Sequence, residues 1–107
     1  MVIKRTKLFN QQTQDQEKVI GVGNRASSLV LNVYGTSTEF NITIKGVVDI
    51  DDDEWQTISI IDMGSMTTKQ SIDEGGMYTI PLDGLCAISV ELQISNGGIT
   101  ASASICD

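Results

Sequence analysis

The chain contains no histidine among its 107 residues. A Ser-His or Cys-His nucleophile pair therefore cannot form, and no imidazole is available as a metal ligand. Paired carboxylates of the glycosidase type are compatible with the composition. However, one Trp and two Tyr offer little stacking surface for a sugar cleft in so small a domain. The sequence predicts a protein that is not an enzyme and uses no cofactor.

Long hydrophobic runs are also missing. The longest uninterrupted apolar stretch is Leu85–Ile88, which is far too short to span a membrane. The opening segment, Met1–Lys7, is followed by no apolar stretch of signal-peptide length and no small-residue cleavage site. We therefore expect a protein that is made in the cytoplasm and has no membrane partner.

Cations are scarce and unevenly placed. Residues 1–25 hold five cations against two carboxylates, whereas residues 26–107 hold two cations against twelve carboxylates. An acidic body repels the phosphate backbone, so we expect no nucleic-acid partner. The basic segment either docks onto an acidic surface, such as a second copy of the chain, or serves only as a solubilising tail.

What the chain does contain is alternation of apolar and polar residues with a period of two. Phe40, Ile42 and Ile44 alternate with polar residues, and the pattern recurs from Ile88 to Ile94. Because successive side chains of a strand point to opposite faces, this indicates an antiparallel sheet with one buried face. The sequence predicts an all-β, antiparallel β-sandwich, jelly-roll-like or immunoglobulin-like, with seven or eight short strands. We expect an N-terminal extended arm at 1–17, with a possible edge strand at 2–9, and a sandwich domain at 18–107 with strands at 19–22, 28–34, 40–48, 55–61, 77–82, 87–95 and 99–106.

Two turn signals follow the later strands. Asn96-Gly97 predicts a tight hairpin that pairs Ile94 with Ile99. That register places Cys86 and Cys106 on opposite faces, so we expect two free thiols.

Asp83-Gly84 fails the same register test, and Pro81 lacks the N–H that a central ladder needs. We therefore interpret Asp83-Gly84 as a crossover between sheets. Tyr78 should enter the core, with its hydroxyl bonded to the backbone.

A run of carboxylates resembles part of a calcium loop. Asp49, Asp51 and Asp53 match the first three ligand positions, but Glu54 replaces the required glycine and Ile60 replaces the bidentate glutamate. The three aspartates are weak calcium candidates. The favoured interpretation is a solvated hairpin tip whose charges discourage aggregation. We expect Trp55, which follows this run, to be buried in the core.

Several segments carry a resemblance to a known class. Residues 31–37, 40–46, 76–80 and 82–85, together with the carboxylate run and Trp55, resemble small β-sandwich structural proteins of tailed bacteriophages and prophages. Such proteins serve as capsid decoration, head-fibre and baseplate or tail accessory components. The resemblance spans about residues 28–107. It implies a virion protein made in the host cytoplasm, most simply a capsid decoration protein that binds the major capsid protein or another virion protein and forms homo-oligomers in the assembly.

The same pattern also resembles carbohydrate-binding sandwiches. In that alternative, Trp55 and Tyr34 are exposed platforms for sugar rings.

The predicted interface lies in the N-terminal segment. Lys4, Arg5, Lys7, Leu8 and Phe9 mix cations with apolar side chains. Such a mixture suits a strand that pairs with the open sheet edge of a neighbouring molecule and sets its cations against the neighbour's carboxylates.

Overall fold

Ten β-strands build the protein in the computed structural model, which describes residues 1–23 and 25–107. No helix long and apolar enough to cross a membrane occurs in those residues. The strands are β1 (Val2–Gln12), β2 (Gln16–Gly21), β3 (Ser28–Gly35), β4 (Phe40–Val47), β5 (Gln56–Thr57), β6 (Ile60–Asp62), β7 (Thr67–Lys69), β8 (Gly76–Pro81), β9 (Ala87–Ile94) and β10 (Ile99–Cys106).

Two antiparallel sheets pack into a sandwich. The larger has six strands in the order β1-β10-β3-β8-β6-β7, and the smaller has four in the order β2-β9-β4-β5. The chain changes sheet repeatedly, so most strands that are neighbours in sequence are not neighbours in a ladder. The all-β sandwich predicted from the sequence is confirmed. It has more strands than expected because the segment 55–61 divides between the sheets and because β7 was not predicted.

The period-two pattern explains the core. In the smaller sheet Ile42 lies opposite Leu92 and Ile44 opposite Val90, and all four are fully buried. In the larger sheet Leu31 lies opposite Ala103 in the same way. Polar residues on the alternate positions face outward, which is the arrangement expected when each sheet buries one face.

The prediction of a tight hairpin at Asn96-Gly97 is wrong. β9 and β10 lie in different sheets, with Ile94 opposite Phe40 and Ile99 opposite Gly35. A type I′ turn requires positive φ at both central residues, but in this loop only Gly97 has it, at 61°. The Asn96 side chain is occupied elsewhere, since its Oδ1 accepts a hydrogen bond from the backbone N–H of Thr38 at 2.9 Å.

Without this hairpin, its register no longer explains why the two cysteines are unpaired. Both are free thiols, with Cys86 exposed and Cys106 partly buried.

The Asp83-Gly84 crossover is confirmed. It connects β8 of the larger sheet to β9 of the smaller one. Gly84 takes a positive φ of 84°, and the Leu85 N–H closes the turn on the Leu82 carbonyl oxygen at 2.9 Å.

Tyr78 enters the core as predicted. It is 1% exposed, and its hydroxyl donates a hydrogen bond to the carbonyl oxygen of Glu74 at 2.7 Å. Burial, reinforced by the nearby charges of Asp62, Glu74 and Asp73, raises the pKa of Tyr78. The hydroxyl therefore stays protonated, and remains a donor, throughout the neutral range.

The N-terminal segment differs from the expected arm. Residues 2–12 form β1, which pairs with β10 of the same molecule, and β2 then adds to the edge of the smaller sheet. Leu8 and Phe9 are buried in the core. The register shifts between Lys7 and Phe9, and such a bulge lets consecutive side chains avoid strict alternation. The expectation that Leu8 and Phe9 contact a neighbour is thus corrected, because the chain's own core occupies them.

Candidate functional site

Trp55 lies on the outer face of the smaller sheet. It is half-buried and lines a depression of about 370 Å³ with Glu17, Val19, Lys45 and Ser89. The expectation of a core position is therefore wrong. The chain leaves the ladder after Val47 and rejoins it only at Gln56, opposite Gly46, so Trp55 does not continue the alternation of β4.

The floor of this depression is a row across three strands. Val19 of β2 lies opposite Ser89 of β9, which lies opposite Lys45 of β4. Ser89 is buried, whereas Val19 is 58% exposed. An aromatic side chain is thus placed beside a hydroxyl, an ammonium and a carboxylate. Only Trp55 could be singled out from the sequence, because its partners are remote along the chain.

Tyr34 is far from this arrangement in the fold. It lies near the end of β3 in the larger sheet and is 47% exposed. Since Trp55 borders the smaller sheet, the two aromatics do not form one platform.

The acidic loop, residues 48–54, does not assemble a calcium site. Asp49, Asp51 and Asp53 are exposed. The Asp49 carboxylate accepts a hydrogen bond from the Asp51 N–H at 3.0 Å, and the Asp52 carboxylate accepts one from the Asp49 N–H at 3.2 Å. Within residues 1–23 and 25–107, no group of three or more acidic, Cys or His side chains could hold a metal ion.

The predicted interface cations remain at the surface. Lys4, Arg5 and Lys7 are exposed along β1. Arg5 lies opposite Ser104 and Lys7 opposite Ser102. Arg5 and Lys7 border a shallow groove of about 420 Å³ on the outer face of the larger sheet, which we call the basic furrow. Its remaining lining includes Val30, Asn32 and Met77.

The serines of the furrow carried a signal that the sequence analysis missed. Ser102 and Ser104 alternate with buried alanines in β10. Small polar residues between taller neighbours create a depression in a sheet surface.

Comparison with solved structures shows the fold. The SPBc2 prophage-derived protein YomS is similar over 95% of this chain and 92% of its own, with a TM-score of 0.80 and 20% identity. The PBSX exported protein XepA is similar over 95% of this chain with a TM-score of 0.82 and 18% identity, but this chain spans only 37% of XepA.

A more distant likeness is to Aeromonas hydrophila PliG, a periplasmic inhibitor of g-type lysozyme. The TM-score is 0.53 at 10% identity, over 96% of this chain and 85% of PliG. No protein-family profile and no curated protein sequence matches the chain.

Proposed function

We propose that the chain is a phage-encoded structural protein without enzymatic activity, which decorates the capsid surface by binding the major capsid protein or another virion protein. The observation that carries this proposal is the match of almost the whole chain, at TM-scores of 0.80 and 0.82, to YomS and XepA, one named as prophage-derived and the other as a PBSX protein.

The architecture supports such a role. Within residues 1–23 and 25–107, twenty-three buried apolar residues form one core cluster, which gives a rigid body with exposed sheet edges and faces. A module of this kind can attach by several weak contacts, and repetition over a symmetric shell makes weak attachment firm through effective concentration. Attachment then requires shape and charge rather than a reactive group.

The test is the composition of purified phage particles. Particles from a strain that carries this gene are separated into heads and tails on a density gradient, and each fraction is examined by quantitative mass spectrometry. We expect the protein in the head fraction in a fixed ratio to the major capsid protein. The purified protein run alone on the same gradient is the control.

Other outcomes contradict the proposal in different ways. Recovery in tails alone would overturn capsid decoration, and recovery only in the particle-free fraction would overturn a virion role altogether.

A second candidate is carbohydrate binding at Trp55, and a specific observation favours it. The half-buried indole lies beside Lys45, Ser89 and Glu17, which combines a stacking surface with hydrogen-bonding groups. A sugar ring can stack on the apolar face of an aromatic side chain, while polar side chains beside that ring form hydrogen bonds with the sugar's hydroxyl groups.

Because Trp55 is the single tryptophan of the chain, its fluorescence reports directly on this site. If the candidate is right, titration with cell-wall oligosaccharides should change the emission saturably, and Trp55→Ala should abolish binding measured by calorimetry. Tyr34→Ala, on the other sheet, should leave the affinity unchanged. An emission spectrum that no oligosaccharide alters would eliminate this candidate.

A further inference from the structure

The basic furrow is formed by side chains of four adjacent strands of the larger sheet, β1, β10, β3 and β8. Two neighbouring rows cross its outer face, one through Arg5, Ser104 and Val30 and the other through Lys7, Ser102 and Asn32. The long cationic side chains stand on the edge strand β1, while β10 contributes the short polar side chains of Ser102 and Ser104 to the furrow. The result is a groove with cations on one wall and hydroxyl groups along its floor.

The opposite wall of the furrow is apolar. Met77 lies opposite Asn32 on β8 and is 43% exposed. A ligand that fills the furrow must therefore present negative charge on one side and an apolar group on the other.

The cations of the furrow form no ion pair among the residues that the structure describes. Over residues 1–23 and 25–107, the ion pairs join Asp107 to Arg25 and to the N-terminal ammonium, and Lys69 to two carboxylates. Neither Arg5 nor Lys7 takes part in them. Two unpaired cations on an otherwise acidic body attract a carboxylate-rich ligand.

The acidic loop has the complementary properties. Its five carboxylates, at 49 and 51–54, also have no ion pair in the described residues. Ile50 projects among them and is 56% exposed, and the adjoining Val48 is 70% exposed. The loop therefore offers both a group of carboxylates and exposed aliphatic side chains, the two features that the furrow requires of a ligand.

We propose that the acidic loop of one copy of this chain docks into the basic furrow of a second copy. In this contact the carboxylates of Asp51 and Asp53 face Arg5 and Lys7, and Ile50 packs against Met77. The carboxylates of Asp49 and Asp52 stay bonded to the loop's own backbone and hold its shape. The inference concerns the isolated chain and does not depend on attachment to a phage particle.

The contact joins two different surfaces, so each copy can use its loop and its furrow at the same time. Such head-to-tail contacts close into a ring or grow into a filament, according to the rotation between copies. A ring of sandwiches would suit a symmetric site on a larger assembly.

Sedimentation velocity over a series of protein concentrations tests the proposal. The intact protein should self-associate at low ionic strength, and added salt should weaken the association because it screens exposed charges. The double variant Arg5→Glu/Lys7→Glu should raise the dissociation constant about tenfold or more, since it replaces attraction by like-charge repulsion.

Exchanging the charges between the two surfaces provides the decisive test. Adding Asp51→Lys and Asp53→Lys to that double variant should restore self-association in a single chain. The single variant Lys7→Glu should weaken self-association, and Lys45→Glu is its matched control. Lys45→Glu makes the same change of charge on the other sheet and should change the dissociation constant less than about twofold. Circular dichroism verifies that each variant folds, and the loop variant Asp51→Asn/Asp53→Asn tests the same contact should the furrow variant unfold.

A monomer at every concentration in low salt would overturn the proposal. It would also fail if the furrow variant associated like the intact protein, or if the charge-exchanged chain remained monomeric.

Discussion

Replacing Phe9 with alanine should lower the free energy of unfolding by about 3–5 kcal/mol, the usual cost of removing a fully buried phenyl ring. Phe9 is 1% exposed and lies opposite Ala101 of β10. Because a small domain has a total stability of about 5–15 kcal/mol, the variant should lose a large fraction of its stability. Urea denaturation followed by circular dichroism measures the difference.

The matched control is Ile3→Ala on the same strand. Ile3 is 45% exposed, so its truncation should change stability by about 0.5 kcal/mol or less. Equal, small effects at both positions would mean that residues 2–12 do not complete the core and that a detached arm is the better description.

Replacing Gly97 with alanine should cost about 2–5 kcal/mol. Its φ of 61° is unfavourable for any residue with a Cβ, at about 1–2 kcal/mol. A Cβ there would also lie 2.8 Å from the backbone nitrogen of Ser37 and 2.9 Å from the carbonyl carbon of Thr36. Backbone atoms cannot rotate away, so the two loops must separate, which adds about 1–3 kcal/mol of overpacking.

Comparison with Gly84→Ala separates the steric part of that cost from the backbone part. Gly84 also has a positive φ, of 84°, but a Cβ there would meet nothing within 4 Å. Only the backbone term of about 1–2 kcal/mol should remain. If chemical denaturation gives the same destabilisation for both variants, the close approach of the loop at Gly97 to residues 36–37 has no energetic consequence.

Features that depend on local pattern could be predicted from the sequence. The alternation from Phe40 to Ile44 places strand and face correctly, because the pleat dictates it. The crossover at Asp83-Gly84 could also be predicted, because a hairpin there would mix apolar and polar faces and because Pro81 has no N–H to donate to a ladder.

Features that depend on the choice of partner strand could not be predicted from the sequence. Apolar side chains of β9 match those of β4 as well as they would match those of β10, so alternation alone does not select the ladder. The bulge beside Leu8 breaks the pattern that sequence reasoning relies on. β7 contains Thr67, Thr68 and Lys69 and has no buried side chain, so no apolar alternation marks it.

The candidate surfaces also combine residues that the sequence singles out with residues that only the fold brings together. The cations of β1 were visible in the sequence as a charge cluster, but the serines that form the floor of the furrow lie about a hundred residues away. The depression beside Trp55 likewise draws on β2, β4 and β9, whose proximity follows from topology alone.

The pairing of β1 with β10 has a consequence for biosynthesis. During translation, β1 emerges almost a hundred residues before the strand that completes its ladder, and a topology rich in such distant contacts folds slowly. Until Ile99–Cys106 leaves the ribosome, the nascent β1 exposes Leu8 and Phe9 next to unpaired backbone groups. Lys4, Arg5 and Lys7 then act as gatekeepers, because charges on an unpaired strand discourage its association with other nascent chains.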